Sequence, residues 1–216
     1  MAEVTESQNP EQENPRREWF VRYHNELLQR YETGEISRVE YLERLADGDE
    51  EKEQRADHDP LTGFFNRNGL DRTLNIELAE IKRLNLPGVM LVLDVDHLKD
   101  TNDTMGHLAG DILLIIYSQI MEVCTRKSDP KARWGGDEFG IFLPATDSEH
   151  AAIIAERIRA TVEEVMPQVF LDLPWQQTIS IGLTQVRDDD TPDTLINRAD
   201  QGLYQAKEKR NKVVII

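Results

Sequence analysis

The sequence predicts an α+β domain, with helices packed over a mainly antiparallel central sheet and a short helical extension in front. Three observations predict it. Apolar residues recur at helical spacing in segments that alternate with short strand-like runs after Asp59. The run from Gly88 to Asp94, GVMLVLD, is apolar without interruption up to its final acid, as expected of a strand covered on both faces. Paired glycines, Gly135-Gly136, separate Lys131–Trp134 from Phe139–Leu143, a hairpin signal because tight primed turns require positive φ.

The elements follow in order. Leu70, Leu74, Leu78, Ile81 and Leu84 mark a helix that Pro87 stops. The strand 88–94 comes next, then a helix over 107–124 with Leu108, Ile112, Ile115, Ile116 and Ile120 facing inward. After the hairpin, the pattern gives a helix over 147–166, a strand over 178–185, a helix over 192–208 and a last strand over 212–216. Thr191-Pro192 is a conventional helix entry, an N-cap followed by a first-turn proline.

Upstream, residues 1–18 are rich in Gln, Asn and Glu and read as a disordered acidic tail. Residues 19–58 read as a helical extension. Phe20, His24, Leu27, Leu28 and Tyr31 share one helical face, Gly34 ends that helix, and Ser37 with Glu40 forms a capping-box pattern for a second one carrying Tyr41, Leu42 and Leu45. Two such helices cannot enclose a core, so their apolar faces must pack on the main domain or on a second chain. Residues 59–216 read as the main α+β domain.

Composition narrows the function. Of 216 residues, 41 are acidic and 25 basic, for a formal charge of −16. Such a field repels the phosphate backbone of polymeric nucleic acid and anionic lipid. The single cysteine, Cys124, cannot form an internal disulfide, and there is neither a signal peptide nor an apolar run of about 18 residues, so a cytoplasmic protein without membrane insertion is expected. The motifs of P-loop NTPases, serine hydrolases and zinc peptidases are absent. What remains is acidic. Asp94 and Asp96 end a buried strand, and Asp137 and Glu138 follow the glycines of the hairpin, so carboxylates at the tips of adjacent strands can converge. Hard oxygen ligands of this kind suit Mg²⁺ when it also binds substrate phosphates. Asp96 reads better as a helix-cap acid than as a ligand.

The stretch Gly135-Gly136-Asp137-Glu138-Phe139 resembles the GGDEF domain of diguanylate cyclases, together with LDVDHLKDTNDTMGHLAGD at 93–111, DPLTGFFNR at 59–67, TISIG at 178–182 and ADQGLYQAKEKRN at 199–211. The resemblance implies a fold like the polymerase palm and adenylyl cyclase catalytic domains. It implies the condensation of two GTP into cyclic di-GMP, with Mg²⁺ as the metal and Mn²⁺ as a substitute. Asp94, the Val95 carbonyl, Asp137 and Glu138 become metal ligands, and Asp137 is also the proton acceptor. Asn102 and Asp111 match guanine readers, and His107 matches a further substrate contact. Lys99, Lys207 and Arg210 match phosphate contacts, although the segment before Arg210 is one residue shorter than the family's AKxxGRN. Arg126 and Asp129 match the RxxD product-inhibition site, with Arg157 as an additional ligand.

One chain carries one set of metal carboxylates and one guanine pair, whereas the product needs two facing GTP molecules, so a homodimer is expected. The extension is then a pairing element or a surface for a protein partner. The competing reading is a catalytically silent relative that binds GTP or cyclic di-GMP as a receptor; the intact Asp94, Asp137 and Glu138 speak against it. A cyclase making a mixed adenine and guanine dinucleotide is disfavoured by Asp111 at the guanine-reading position.

Overall fold

The structure, a computed structural model, describes residues 57–169 and 174–216 together with positions 22, 26, 29–31, 33–37 and 40. Its elements run α1 (Arg67–Leu84), β1 (Gly88–Val95), α2 (Leu98–Met105), α3 (His107–Cys124), β2 (Lys131–Gly135), β3 (Glu138–Pro144), α4 (Ser148–Val169), β4 (Ile179–Gln185), α5 (Pro192–Lys207) and β5 (Val213–Ile215). The five strands form one sheet in the order β2-β3-β1-β4-β5. All neighbours pair antiparallel except β4 with β5. Strand β1 lies at the centre and is buried at all eight positions, which is why its sequence shows no polar alternation.

Alternation of side chains along β1 sends Leu91, Leu93 and Val95 to one face and Met90 and Val92 to the other. The first face is covered by α3 and α4 through residues such as Leu113, Ile116, Ile158 and Val162. The second is covered by α1 and α5 through Leu70, Leu74, Leu195 and Leu203. Local chemistry sets the helix ends. Asn66 accepts from the Gly69 N–H to start α1, and Thr191 accepts from Thr194 N–H while Pro192 opens α5.

The structure corrects two readings. Helix α2 was absent from the expected elements: it is eight residues long and polar, burying only Leu98 and Thr101, so it leaves no apolar period to read. Leu108 is 73% exposed rather than inward, because α3 is apolar around most of its circumference and its buried face begins at Ala109. Leu84, in the last turn of α1, is 46% exposed. Among the described helices α3 is also the one long and apolar enough to cross a membrane, with a mean hydropathy of 1.3; it is 67% buried and serves as the central core helix.

Of the extension, positions 22, 26 and 29–31 are helical, Gly34 ends that segment at φ 75°, and the Glu40 N–H donates to Ser37 Oγ at 3.1 Å. Ile36 is buried in the main core with Tyr31 against it, so the chain at this link packs on the main domain. The tail at 1–18 and the apolar positions Phe20, His24, Leu27, Leu28, Tyr41, Leu42 and Leu45 lie outside the described residues.

Strand β4 approaches α5 so closely that a Cβ at Gly182 would collide with the backbone of Ala199, Gly202 and Leu203. Gly182→Ala is therefore expected to cost about 2–3 kcal/mol, the range for overpacking a filled interior. An unchanged midpoint in chemical denaturation would show that α5 retreats freely.

Candidate active site

The end of β1 and the β2–β3 turn build one corner. Asp94 pairs in register with Glu138 of β3 and Ser180 of β4, and the Val95 N–H donates to the Asp137 carbonyl at 3.1 Å. Gly135 and Gly136 take φ of 132° and 56°, values that side-chain-bearing residues rarely adopt, and this lets the turn fold Asp137 back toward β1. Arg133 fixes the turn from below. Its guanidinium donates to the Gly136 carbonyl at 3.0 and 2.8 Å and to both oxygens of Asp59 at 3.2 and 3.1 Å.

Charge at this corner is tightly held. Asp94 is buried and ion-paired with Lys207 at the end of α5. Burial pushes its carboxyl up to about 7 from an ordinary 3.8; the Lys207 ammonium opposes the rise, while the charges of Asp137 and Asp96 add to it. Asp96 is fully buried and is not a helix cap, since His97 occupies the cap of α2 without a side-chain bond. Instead Asp96 accepts from Thr178 Oγ1 at 2.8 Å, from Ser180 Oγ at 2.9 Å and from the Asn211 N–H at 3.1 Å.

Among the described residues no group of three or more His, Cys, Asp or Glu side chains gathers as a metal cluster. Asp94 and Asp137 instead offer a partial oxygen set, which fits a hard cation that takes one or two protein carboxylates and completes its shell with substrate oxygens and water. Glu138 is exposed beside them.

The other expected substrate residues occupy α2, the start of α3 and the end of α5. Asn102 packs its Oδ1 into the space left by the missing side chain of Gly110, the residue before Asp111, and that oxygen is buried without a hydrogen-bond partner. Lys99, His107 and Asp111 are exposed. Arg210 is exposed, with its Nε 4.0 Å from Asp96 Oδ1.

Arg126, Asp129 and Arg157 line a separate cavity of about 480 Å³, together with Thr125, Thr146 and His150. Residues 126–129 form a turn after α3 has ended, closed by the Asp129 N–H on the Arg126 carbonyl at 3.1 Å and the Arg126 N–H on Asp129 Oδ2 at 2.8 Å. Asp129 Oδ1 and Arg157 Nε have no hydrogen-bond partner there. Burial raises the Asp129 carboxyl despite the neighbouring Arg126.

Sequence reasoning missed several supporting groups. Lys131 is buried beneath the turn, donating to the Arg126 and Asp129 carbonyls at 2.9 Å each and pairing with Glu122. Asp59 and Arg133 hold the glycine turn, and Gly110 makes room for Asn102. Thr178, just before β4, and Ser180 within it did carry a signal: two hydroxyls spaced by two along a buried extended segment share a face and need a polar partner.

Five strands with acids at the tips of the central strand and of the adjoining turn define a palm-like α+β domain. Residues 56–212 match the family described as diguanylate cyclase, GGDEF domain. The chain belongs to the GGDEF diguanylate cyclase family. It is 40% identical over 158 residues to the diguanylate cyclase DgcP of Pseudomonas aeruginosa, which covers 73% of this chain and 23% of that relative. The chain thus spans about a quarter of that protein's length. Among solved structures it resembles the GGDEF domain of DgcB from Caulobacter crescentus in complex with c-di-GMP, with a TM-score of 0.70 and 29% identity over 76% of this chain and 97% of that one. It also resembles the diguanylate cyclase SiaD in complex with its activator SiaC from Pseudomonas aeruginosa, with a TM-score of 0.69 and 33% identity over 92% of this chain and 76% of that one.

The raised Asp94 carboxyl predicts a pH signature in protein free of divalent cations. The folded state holds this proton more tightly than the unfolded state, so stability is full below about 3.8 and falls as pH rises to about 7. Asp94→Asn lacks this titration. Wild-type stability from chemical denaturation, referred to that of Asp94→Asn, is expected to decline across this window and level off above it; parallel profiles would show that Lys207 alone meets the charge.

Proposed function

We propose that this chain condenses two GTP molecules into cyclic di-GMP, and that it does so as a homodimer. The observation that carries the reading is the corner where Asp94 of the central strand, Asp137 of the glycine turn and Lys207 of α5 meet. In each of two steps a ribose 3′-oxygen forms a bond to the α-phosphorus of the other GTP, the bond from that phosphorus to the pyrophosphate oxygen breaks, and the hydroxyl proton passes to a base. Asp137 is the base. Asp94, the Val95 carbonyl, Asp137 and Glu138 would hold Mg²⁺, or Mn²⁺ in its place, and the bound metal would offset phosphate charge and acidify the hydroxyl. Lys99, Lys207 and Arg210 take the triphosphate, and Asn102 and Asp111 take the guanine edge, whose N1–H and N2 amine donate to a carboxylate where adenine would present an acceptor. The buried, unpartnered Asn102 Oδ1 supports this assignment. His107 contacts substrate from the start of α3.

The cavity with Arg126, Asp129 and Arg157 receives the product as an inhibitor, its unpartnered Asp129 Oδ1 and Arg157 Nε being suited to a guanine edge and a phosphate. The matched DgcB domain is described with c-di-GMP, which supports a binding role for the fold. The extension serves pairing or a regulatory protein. The match to SiaD with its activator covers 92% of this chain, more than the catalytic domain alone. A cytoplasmic location accords with the GTP substrate.

Incubation with GTP and Mg²⁺, with cyclic products identified by mass, tests the reading. Asp137→Ala is expected to lower turnover at least about 100-fold, the loss typical of a main catalytic group. Near-normal activity in a folded Asp137→Ala protein would overturn the assignment. Arg126→Ala is expected to weaken cyclic di-GMP binding in calorimetry while leaving GTP turnover in place. Equal product affinity in wild type and variant would remove the inhibitory site.

A further inference from the structure

Arg210 and Asn211 follow each other in the left-handed region, with φ of 55° and 46°. Side-chain-bearing residues enter that region at a cost, and two in succession need something to hold them there. They stand where this chain's segment is one residue shorter than its family's and lacks the glycine.

Three grips converge on Asn211. Its N–H donates to the buried Asp96 carboxylate at 3.1 Å, its Nδ2 donates to Glu163 Oε1 at 2.9 Å, and its Oδ1 accepts from the Arg159 guanidinium at 2.8 Å. Each grip is itself anchored. Thr178 and Ser180 hold Asp96, while Glu156 and Glu163 hold Arg159 at 2.6–2.8 Å. On one side of Asn211 the chain joins the sheet, with the Ile181 N–H donating to the Lys212 carbonyl at 2.9 Å. On the other, the Arg210 N–H donates to the Ala206 carbonyl at 2.9 Å, which prolongs the last turn of α5, the turn that carries Lys207 to Asp94.

We propose that Asn211 is a positioning residue: held by Asp96, Arg159 and Glu163, it fixes the shortened turn so that Arg210 faces the triphosphate. The proposal rests on the GTP reading above and goes beyond it by naming what compensates for the missing glycine. Asn211 touches no substrate and acts through Arg210.

A double-mutant cycle on the full chain tests this, with Mg²⁺–GTP affinity from calorimetry and, alongside it, KM and kcat. Asn211→Ala is expected to weaken GTP affinity and raise KM about tenfold, within the coupling range of residues sharing one network, with kcat changed far less. In an Arg210→Ala background the same substitution is expected to do no further harm. Arg159→Gln removes one grip without altering the turn's own residues; it is expected to reproduce part of the loss and likewise to lose its effect when Arg210 is absent, and it serves in the cycle if Asn211→Ala does not fold. Additive losses in the double variants, or unchanged GTP affinity in the single ones, would overturn the proposal. Because the cycle is read in binding, a wild-type chain that binds Mg²⁺–GTP without forming product would sink the cyclase reading and leave this test standing.

Discussion

The central strand ends in two carboxylates that the rest of the fold keeps away from bulk water. Asp94 and Asp96 are 8% and 0% exposed, and a buried charge is tolerated only where donors or a counter-ion surround it. The two acids solve this differently. Asp96 is surrounded by hydroxyls and a backbone N–H from β4 and the turn after α5, and so becomes a structural post. Asp94 has the Lys207 ammonium on one side and Asp137 on the other, which leaves a carboxylate whose charge is only partly met. A divalent cation is the natural complement of that imbalance.

The corner is assembled from segments far apart in the chain, and each is pinned by a specific contact. Arg133 ties the glycine turn to Asp59, near the start of the domain. Asn102 is set by the absence of a side chain at Gly110. On the sheet face it shares with α3, α4 contributes Arg157 to the second cavity and, two residues later, Arg159 to the grip on Asn211. One helix therefore touches both the cavity and the turn after α5.

Membership in the GGDEF family sets what this chemistry is for, while the residues of this chain decide how it is held. The shortened segment before Arg210 illustrates the difference. Loss of a glycine from a turn disfavours left-handed backbone, yet here Asn211, a residue whose short polar side chain tolerates that region, replaces conformational freedom with hydrogen bonds.

Much of the architecture was legible in the sequence by itself because it rests on local periodicity and turn chemistry. The continuous apolar run of β1, the Gly135-Gly136 hairpin, the Thr191-Pro192 helix entry and the acids at the strand tips are each decided within a few residues. The short polar helix α2 and the phase of α3 at Leu108 were not legible, since one lacks an apolar period and the other is apolar on nearly every side. What only the tertiary structure decided was partnership: that Lys207 answers Asp94, that Asp96 is a post rather than a cap, that Arg133 holds the glycine turn and that Asn211 is gripped from two elements. These depend on which side chains the folded sheet and helices bring within about 3 Å of one another, the reach of a hydrogen bond, and no pattern along the chain encodes that distance.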